Sequence, residues 1–119
     1  MRNIFVDFDG VINSYKTHFT TPTDLPDPPV PGAIEWLENL TENFHVTIYT
    51  TRMIQGVAQA AIVDWMLRNG LPMRVLDKMS FSCIKGGADV YIDDRAYRFT
   101  GVFPSVEQLR NMKPWHESN

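Results

Sequence analysis

The 119-residue chain contains very little cysteine, because Cys83 is the only one. A single cysteine excludes a disulfide framework and a zinc site built from cysteines, and we interpret Cys83 as a small buried side chain. The chain also lacks an excess of basic residues: 11 Lys and Arg stand against 14 Asp and Glu, for a net charge of −3. We therefore expect no strong nucleic-acid-binding surface, although a nucleotide or a strand end stays a candidate substrate.

Long apolar segments are absent as well. No apolar run approaches the roughly 20 residues that a membrane span needs. Met1 and Arg2 lead directly into an apolar strand, without the pattern of a secretory signal. These features predict a cytoplasmic protein with no membrane partner.

What the chain does contain is an alternation of apolar strands with helical patterns. Strands are predicted at residues 3–8, 45–50, 73–76 and 88–92, and helices at 33–44, 55–69 and 106–112, the last with a capping box of Ser105 and Gln108. Residues 78–87 have no clear period, and the tail from Lys113 is expected to fray. The alternation predicts an α/β fold: one Rossmann-like three-layer domain over residues 1–119, with a parallel sheet and helices on both faces.

A proline-rich loop separates the first strand from the first helix. Residues 11–30 have no regular period, and the prolines here and at position 31 give the segment a stiff, extended character. Loops of this length are often functional. We predict that the part from Ser14 to Val30 is a minimal flap.

Two acids, Asp7 and Asp9, follow the first apolar strand in the sequence Asp7-Phe8-Asp9-Gly10-Val11. Side chains two residues apart on a strand point to the same side. Two anions so close repel each other unless a cation or a shared proton compensates. A hard, oxygen-liganded metal such as Mg²⁺ is the simplest compensation.

More polar residues follow the other strands at their carboxyl ends, where parallel sheets bind ligands. Thr50 and Arg52 come after strand two, and Asp93 with Asp94 after strand four. Together with Asp7, either member of the last pair can hold the metal.

This combination of side chains suits phosphoryl transfer from a monoester, which needs a nucleophile, charge neutralisation and a proton for the leaving oxygen. Asp7 can act as the nucleophile and form an aspartyl-phosphate. Asp9 can protonate the leaving group and later activate water. Thr50 and Lys85 can contact the phosphoryl oxygens.

The same residues resemble the four motifs of the haloacid dehalogenase (HAD) superfamily, in the family's order: Asp7-Phe8-Asp9-Gly10-Val11, Thr50, Lys85 and Asp93-Asp94. The resemblance, to small capless members of bacteria and phages, runs from about residue 3 to residue 95. It implies strand order 3-2-1-4, with any fifth strand beyond the fourth. It also implies an Mg²⁺ site formed by the Asp7 carboxylate, the Asp9 backbone carbonyl and Asp93 or Asp94.

Several assignments have alternatives. Thr51 competes with Thr50 for the hydroxyl role. Lys78 competes with Lys85, which precedes a glycine where many relatives have proline. Arg52 is either a substrate contact or a solvated side chain. Arg95 is expected to balance the charge of the acid pair.

Neither the 11–30 loop nor the 77–88 gap can form the cap domain that many HAD phosphatases carry. The resemblance therefore implies a phosphatase with an open site, acting on a bulky or macromolecular phosphoester unless a partner subunit covers it. Rival interpretations are a nucleotide or polynucleotide-end phosphatase, and a catalytically silent binding module. A response-regulator-like phospho-acceptor is disfavoured, because its phosphorylated Asp would follow strand three.

Overall fold

The computed structural model describes residues 1–117, which form a four-stranded sheet with helices between the strands. In chain order the elements are β1 (Asn3–Asp7), α1 (Ala33–Asn43), β2 (His45–Tyr49), a 3₁₀ helix (Thr51–Ile54), α2 (Val57–Arg68), α3 (Met73–Leu76), β3 (Met79–Ser82), β4 (Val90–Ile92), α4 (Val106–Asn111) and a second 3₁₀ helix (Trp115–Glu117). The sheet is parallel throughout, in the order β3-β2-β1-β4. The expected α/β class, the parallel sheet and the order 3-2-1-4 are therefore confirmed.

One face of the sheet carries the hydrophobic core. Ile4 and Val6 of β1 are buried and lie in register with Val46 and Ile48 of β2, which are buried too. The residues between them are only half-buried, which is the period of two expected when one face of a sheet is covered. Full burial of each such aliphatic side chain contributes about 1.5–3 kcal/mol.

Helices α1 and α2 cover this face. Leu37 of α1 joins the same core cluster as Ile62, Trp65 and Met66 of α2. The ring of Trp65 meets Phe8, the residue after β1, edge to face with 5.2 Å between ring centroids. The second helix therefore packs directly against the strand end that carries the acid pair.

The other face of the sheet has no comparable helical layer among the described residues, so the expectation of helices on both faces is not met. Phe5 of β1 packs there edge to face against Tyr91 of β4, and Gly86 of the β3–β4 connection lies against the Phe5 ring. Helix α4 has no buried residue. An irregular connection of residues 83–89 crosses this face, mostly within the stretch 78–87 that was expected to be irregular. Its Cys83 is half-buried rather than buried.

The third strand is not where the sequence pattern predicted it. Residues 73–76 form the single turn α3, and the strand that pairs with β2 is Met79–Ser82, inside the stretch expected to be irregular. A short apolar run fits a strand and a helical turn equally well. Here Pro72 starts the turn and Val75 is buried against the core, whereas Met-Ser-Phe-Ser alternates apolar and polar residues as a strand does.

The carboxyl-terminal part also departs from expectation. The capping box of Ser105 and Gln108 is present, but the tail does not fray from Lys113 onward, because residues 115–117 form a 3₁₀ helix. The last two residues of the predicted tail lie outside the described part of the chain. Among residues 1–117, no helix combines the length and apolar character needed to cross a membrane.

Candidate active site

A cavity of about 280 Å³ opens at the carboxyl ends of β1, β2 and β4. It brings together residues that the sequence spreads over 89 positions. Its lining consists of Asp7, Asp9, Tyr15, Tyr49, Thr50, Thr51, Lys85, Asp93 and Arg95. Six of the eight predicted site residues are in this lining, and the remaining two, Arg52 and Asp94, are buried directly beside it.

Three carboxylates form an acid cluster on one side of the cavity. Asp7, Asp93 and Asp94 each offer an oxygen, and these oxygens lie within 4.8 Å of one another. Burial is the main reason that the pKa of Asp7 rises from 3.8 to about 8, followed by a hydrogen bond with Asp94 and the charges of Asp93 and Asp94. The Phe8 N–H donates to Asp7 Oδ1 over 2.9 Å and opposes the rise. Without a cation, these surroundings favour the protonated form of Asp7.

The acid cluster has the composition of a cation site. The side chain of Asp94 is only 1% exposed, and its buried Oδ1 has no hydrogen-bond partner among the described residues. A proton shared between Asp7 and Asp94, or a bound cation, would compensate this oxygen. Three carboxylates are hard oxygen ligands and fit Mg²⁺, although Ca²⁺ and Mn²⁺ accept the same ligand type.

The Asp9 side chain is not part of the acid cluster. Its Oδ2 accepts from Arg52 Nε over 2.7 Å, and its Oδ1 accepts from Asn13 Nδ2 over 2.9 Å. Asn13 is buried and is brought close by a tight turn, in which the backbone N–H groups of Ile12 and Asn13 both donate to the Phe8 carbonyl. Asp7 and Asp9 thus face one cavity, as expected, but with different partners. The predicted role of the Asp9 backbone carbonyl as a metal ligand stays a prediction.

Arg52 is buried, so the alternative of a solvated side chain is wrong. Besides its ion pair with Asp9, its Nη1 donates to the backbone carbonyls of Thr21, Pro22 and Asp24 in the proline-rich loop. Its guanidinium also lies 4.9 Å from the centroid of the Phe19 ring. Arg52 therefore connects the flap to Asp9, and a direct contact with substrate stays a prediction.

Both threonines after β2 face the cavity. Thr50 is buried, and its Oγ1 accepts from the Arg52 backbone N–H over 3.2 Å, which caps the 3₁₀ helix. A hydroxyl that accepts one bond keeps its proton for donation, so Thr50 can still donate to an anion. Thr51 is exposed at the rim. The fixed position of Thr50 favours it over Thr51.

Lys85 reaches the cavity and Lys78 does not. The Nζ of Lys85 lies 3.3 Å from Asp93 Oδ2 and over the rings of Tyr49 and Tyr91, at 5.6 and 5.2 Å from their centroids. A Cβ on the following residue, Gly86, would come within 3.0 Å of the Phe5 ring. Because Gly86 has no side chain, the β3–β4 connection can pass close to the Phe5 ring. Lys78 instead lines a separate cavity at the amino end of β2.

Hydrogen bonds join the two ends of the proline-rich loop and attach it to α2. Ser14 donates through both its backbone N–H and its Oγ to the Pro28 carbonyl, and the N–H of Val30 donates to the carbonyl of Ile12. Trp65 of α2 donates from Nε1 to the Asp27 carbonyl over 3.0 Å. Between these ties, Tyr15 lines the cavity, and the carbonyls of Thr21, Pro22 and Asp24 accept from Arg52 beside it. The role of this segment as a minimal flap stays a prediction.

The flap contributes one unexpected residue, Tyr15. It lines the cavity and adopts φ of +56°, a left-handed conformation that non-glycine residues rarely occupy. Burial and the charge of Asp9 raise the pKa of Tyr15. Backbone strain of this kind is often found at functional sites.

The carboxyl-terminal segment also reaches the site, which sequence reasoning missed. Trp115 donates from Nε1 to the Gly10 carbonyl over 2.6 Å, and Nε2 of His116 lies 2.9 Å from Asp94 Oδ2. Arg95 lies on the same side: its backbone N–H donates to Asp93 Oδ1, and its Nε is 4.0 Å from Asp94 Oδ2, as expected of a charge-balancing residue. No local pattern marks the tail, because its contacts with Gly10 and Asp94 join residues 105 and 22 positions apart.

Comparisons with protein-family models, with curated proteins and with solved structures gave no significant match. The functional argument therefore rests on the residues and geometry of this chain and on the resemblance of its motifs.

Proposed function

We propose that this protein is a HAD-type, Mg²⁺-dependent phosphomonoesterase that acts through an aspartyl-phosphate on Asp7. The observation that supports this most is the convergence of the acid cluster, Thr50 and Lys85 on one cavity. Each motif is weak alone. Together they meet at the carboxyl edge of a parallel sheet, and this edge is where such a fold binds its ligands.

Asp7 attacks the phosphorus atom with a carboxylate oxygen, and the bond from phosphorus to the leaving oxygen breaks. The reaction requires ionised Asp7, while burial and its acid neighbours raise the pKa of this residue to about 8. When bound by Asp7, Asp93 and Asp94, Mg²⁺ would keep Asp7 ionised and neutralise charge on the phosphoryl oxygens. Lys85 and the Thr50 hydroxyl hold those oxygens in place.

Asp9 transfers the protons. In its protonated form it donates one to the leaving oxygen. The carboxylate so formed later takes one from the water that attacks the phosphorus of the aspartyl-phosphate, which regenerates protonated Asp9 and frees Asp7 and inorganic phosphate. Arg52 and Asn13 orient the Asp9 carboxylate toward the cavity. Asp9 must exchange one of these hydrogen bonds for the leaving group during turnover.

The flap and the absence of a cap among the described residues support a bulky substrate. The segment between β1 and α1 forms only a tied loop, and the β3–β4 connection is a short irregular segment. A phosphate at the end of a large molecule can enter such an open site, whereas no segment within residues 1–117 encloses a small sugar phosphate. The nucleotide or polynucleotide-end alternative shares this chemistry and differs only in the group attached to the phosphate.

A phosphatase panel tests the proposal. Phosphate release should be measured with Mg²⁺ and with EDTA on small esters, sugar phosphates, nucleotides, 3′- and 5′-phosphorylated oligonucleotides and phosphopeptides. We expect Mg²⁺-dependent release, with the highest kcat/KM on the larger substrates. Absence of release from every substrate in Mg²⁺ would contradict the proposed function. A unique preference for one small sugar phosphate would contradict the substrate class alone.

A further inference from the structure

The carboxyl-terminal segment packs against the acid cluster rather than against the hydrophobic core. His116 and Asp94 are both buried, with side chains 8% and 1% exposed, and their contact is 2.9 Å long. Trp115 ties the same segment to the loop after β1 through the Gly10 carbonyl. By contrast, α4, which precedes this segment, has no buried residue. The tail is thus held mainly at the site.

Gly10 provides the space for this contact. Its φ is +87°, and a Cβ at this position would overlap Asp94 Oδ2 and come within 3.0 Å of His116 Nε2. The glycine of the Asp7–Val11 motif therefore lets the backbone approach the His116–Asp94 pair closely. The loop after β1 and the tail together enclose the Asp94 carboxylate.

The two oxygens of Asp94 have different surroundings. Oδ2 accepts from His116, whereas Oδ1 is buried without a hydrogen-bond partner among the described residues. A hydrogen bond to one oxygen fixes the rotation of the carboxylate and leaves the other oxygen for a cation. Such partners of ligating carboxylates typically change metal affinity 10- to 100-fold when removed.

We propose that His116 is a positioning residue that orients Asp94 for Mg²⁺, so that the carboxyl-terminal tail completes the metal site. The inference deepens the proposed function, since it rests on the acid cluster being a metal site. His116 acts through Asp94 and does not touch the reacting atoms. Its loss should weaken metal binding and leave the chemical step of the loaded enzyme nearly unchanged.

The test compares Mg²⁺ binding to full-length variants by isothermal titration calorimetry at fixed pH. His116→Ala should raise the Kd for Mg²⁺ about 10- to 100-fold. His116→Gln, whose amide can reach Asp94, should recover part of the affinity. His45→Ala is the matched control, because His45 lies at the opposite end of β2, and it should bind Mg²⁺ as the parent does.

Activity provides the second readout. At saturating Mg²⁺, kcat of His116→Ala should stay within a few-fold of the parent, and the Mg²⁺ concentration for half-maximal rate should rise with the Kd. Circular dichroism would show that each variant is folded before titration. A general loss of structure would lower the affinity of His116→Gln as much as that of His116→Ala, and this result would overturn the positioning role.

The outcomes separate the two proposals. Parental Mg²⁺ affinity in His116→Ala would overturn the inference and leave the phosphatase proposal intact. Weakened Mg²⁺ binding in a protein that hydrolyses no phosphoester would support the inference and contradict the phosphatase proposal. A parent protein that binds no Mg²⁺ would overturn both.

Discussion

Asp7 and Asp9 stand two residues apart and face one cavity, yet their surroundings are opposite. Asp7 shares its side of the cavity with Asp93 and Asp94, and its pKa rises to about 8. Asp9 is paired instead with the buried guanidinium of Arg52. Asp7 lies among other acids, so a proton or, under the proposed function, a metal ion must compensate its charge. Asp9 is paired with a cation that the chain itself supplies.

The difference shows that the properties of two neighbouring acids depend on the residues that contact them more than on their spacing in the sequence. Environments that push carboxylates apart in protonation or orientation allow one to act as nucleophile and another as acid and base. The turn after β1 brings Asn13 to Asp9, the 3₁₀ helix after β2 supplies Arg52, and Asp7 stays at the strand end. Changes that remove either set of partners test this contrast.

The largest effect is expected from Asp7→Asn, which removes the proposed nucleophile from the acid cluster. Turnover on the best substrate should fall by about 10⁴-fold or more, as for the loss of other catalytic nucleophiles. Steady-state phosphate release measures it. Asp64→Asn, at an exposed site on α2, is the matched control and should keep parental activity. Near-parental turnover in Asp7→Asn would exclude Asp7 as the nucleophile.

Lys85→Ala should have the next largest effect. Removing a cation that stabilises transition-state charge typically lowers the rate about 10²- to 10³-fold. Lys78→Ala should be near parental, because Lys78 lies at the other end of the sheet. The measurement is kcat/KM of both variants in saturating Mg²⁺. A large loss of activity in Lys78→Ala with near-parental activity in Lys85→Ala would contradict the assignment of Lys85 as the phosphoryl contact.

Arg52→Met tests how much the ion pair between Arg52 and Asp9 contributes to stability. Breaking a mostly buried ion pair leaves an uncompensated charge, so the free energy of unfolding should fall by about 3 kcal/mol. The exposed pair of Arg68 and Asp64 provides the control, and Arg68→Met should cost about 0.5 kcal/mol or less. Urea unfolding measures both. Equal losses in the two variants would mean that the Arg52 pair is no more than a surface contact.

The last comparison concerns the dependence of stability on pH. The pKa of Asp7 is about 8 in the folded protein and 3.8 in the unfolded chain. Between these pH values the folded protein binds one more proton than the unfolded chain. Proton binding by Asp7 therefore stabilises the fold at low pH, and this stabilisation is lost as pH rises from about 4 to about 8. In EDTA, the Tm of the parent should therefore fall relative to that of Asp7→Asn over this interval. Thermal unfolding at several pH values measures the difference.

Mg²⁺ should reverse that trend in the parent, because a ligand that binds only the native state stabilises it and binds better once Asp7 has lost its proton. The double variant Asp93→Asn/Asp94→Asn should show no Mg²⁺-dependent rise in Tm. A parent Tm that is independent of both pH and Mg²⁺, relative to Asp7→Asn, would contradict the acid cluster as a metal site.

Local patterns in the sequence were enough to predict much of the fold and part of the site. The apolar runs of β1 and β2 set the strands, because their residues have few alternatives to burial. The acids after β1, the threonine after β2 and the acids after β4 could be placed at one edge, since parallel strands end on the same side. The capping box before α4 is a purely local interaction, and it was predicted correctly.

Only the tertiary structure decided the remainder. Residues 73–76 suited a strand or a turn, and packing of Val75 against the core chose the turn. Arg52 could be solvated or buried, and contact with a flap 28 to 31 residues away buried it. No local pattern in the sequence marks His116. Its partner Asp94, and Gly10, which leaves space for their contact, come close to it only in the folded chain. Periodicity reports which faces are apolar, whereas the choice of a polar side chain's partner depends on contacts between distant segments.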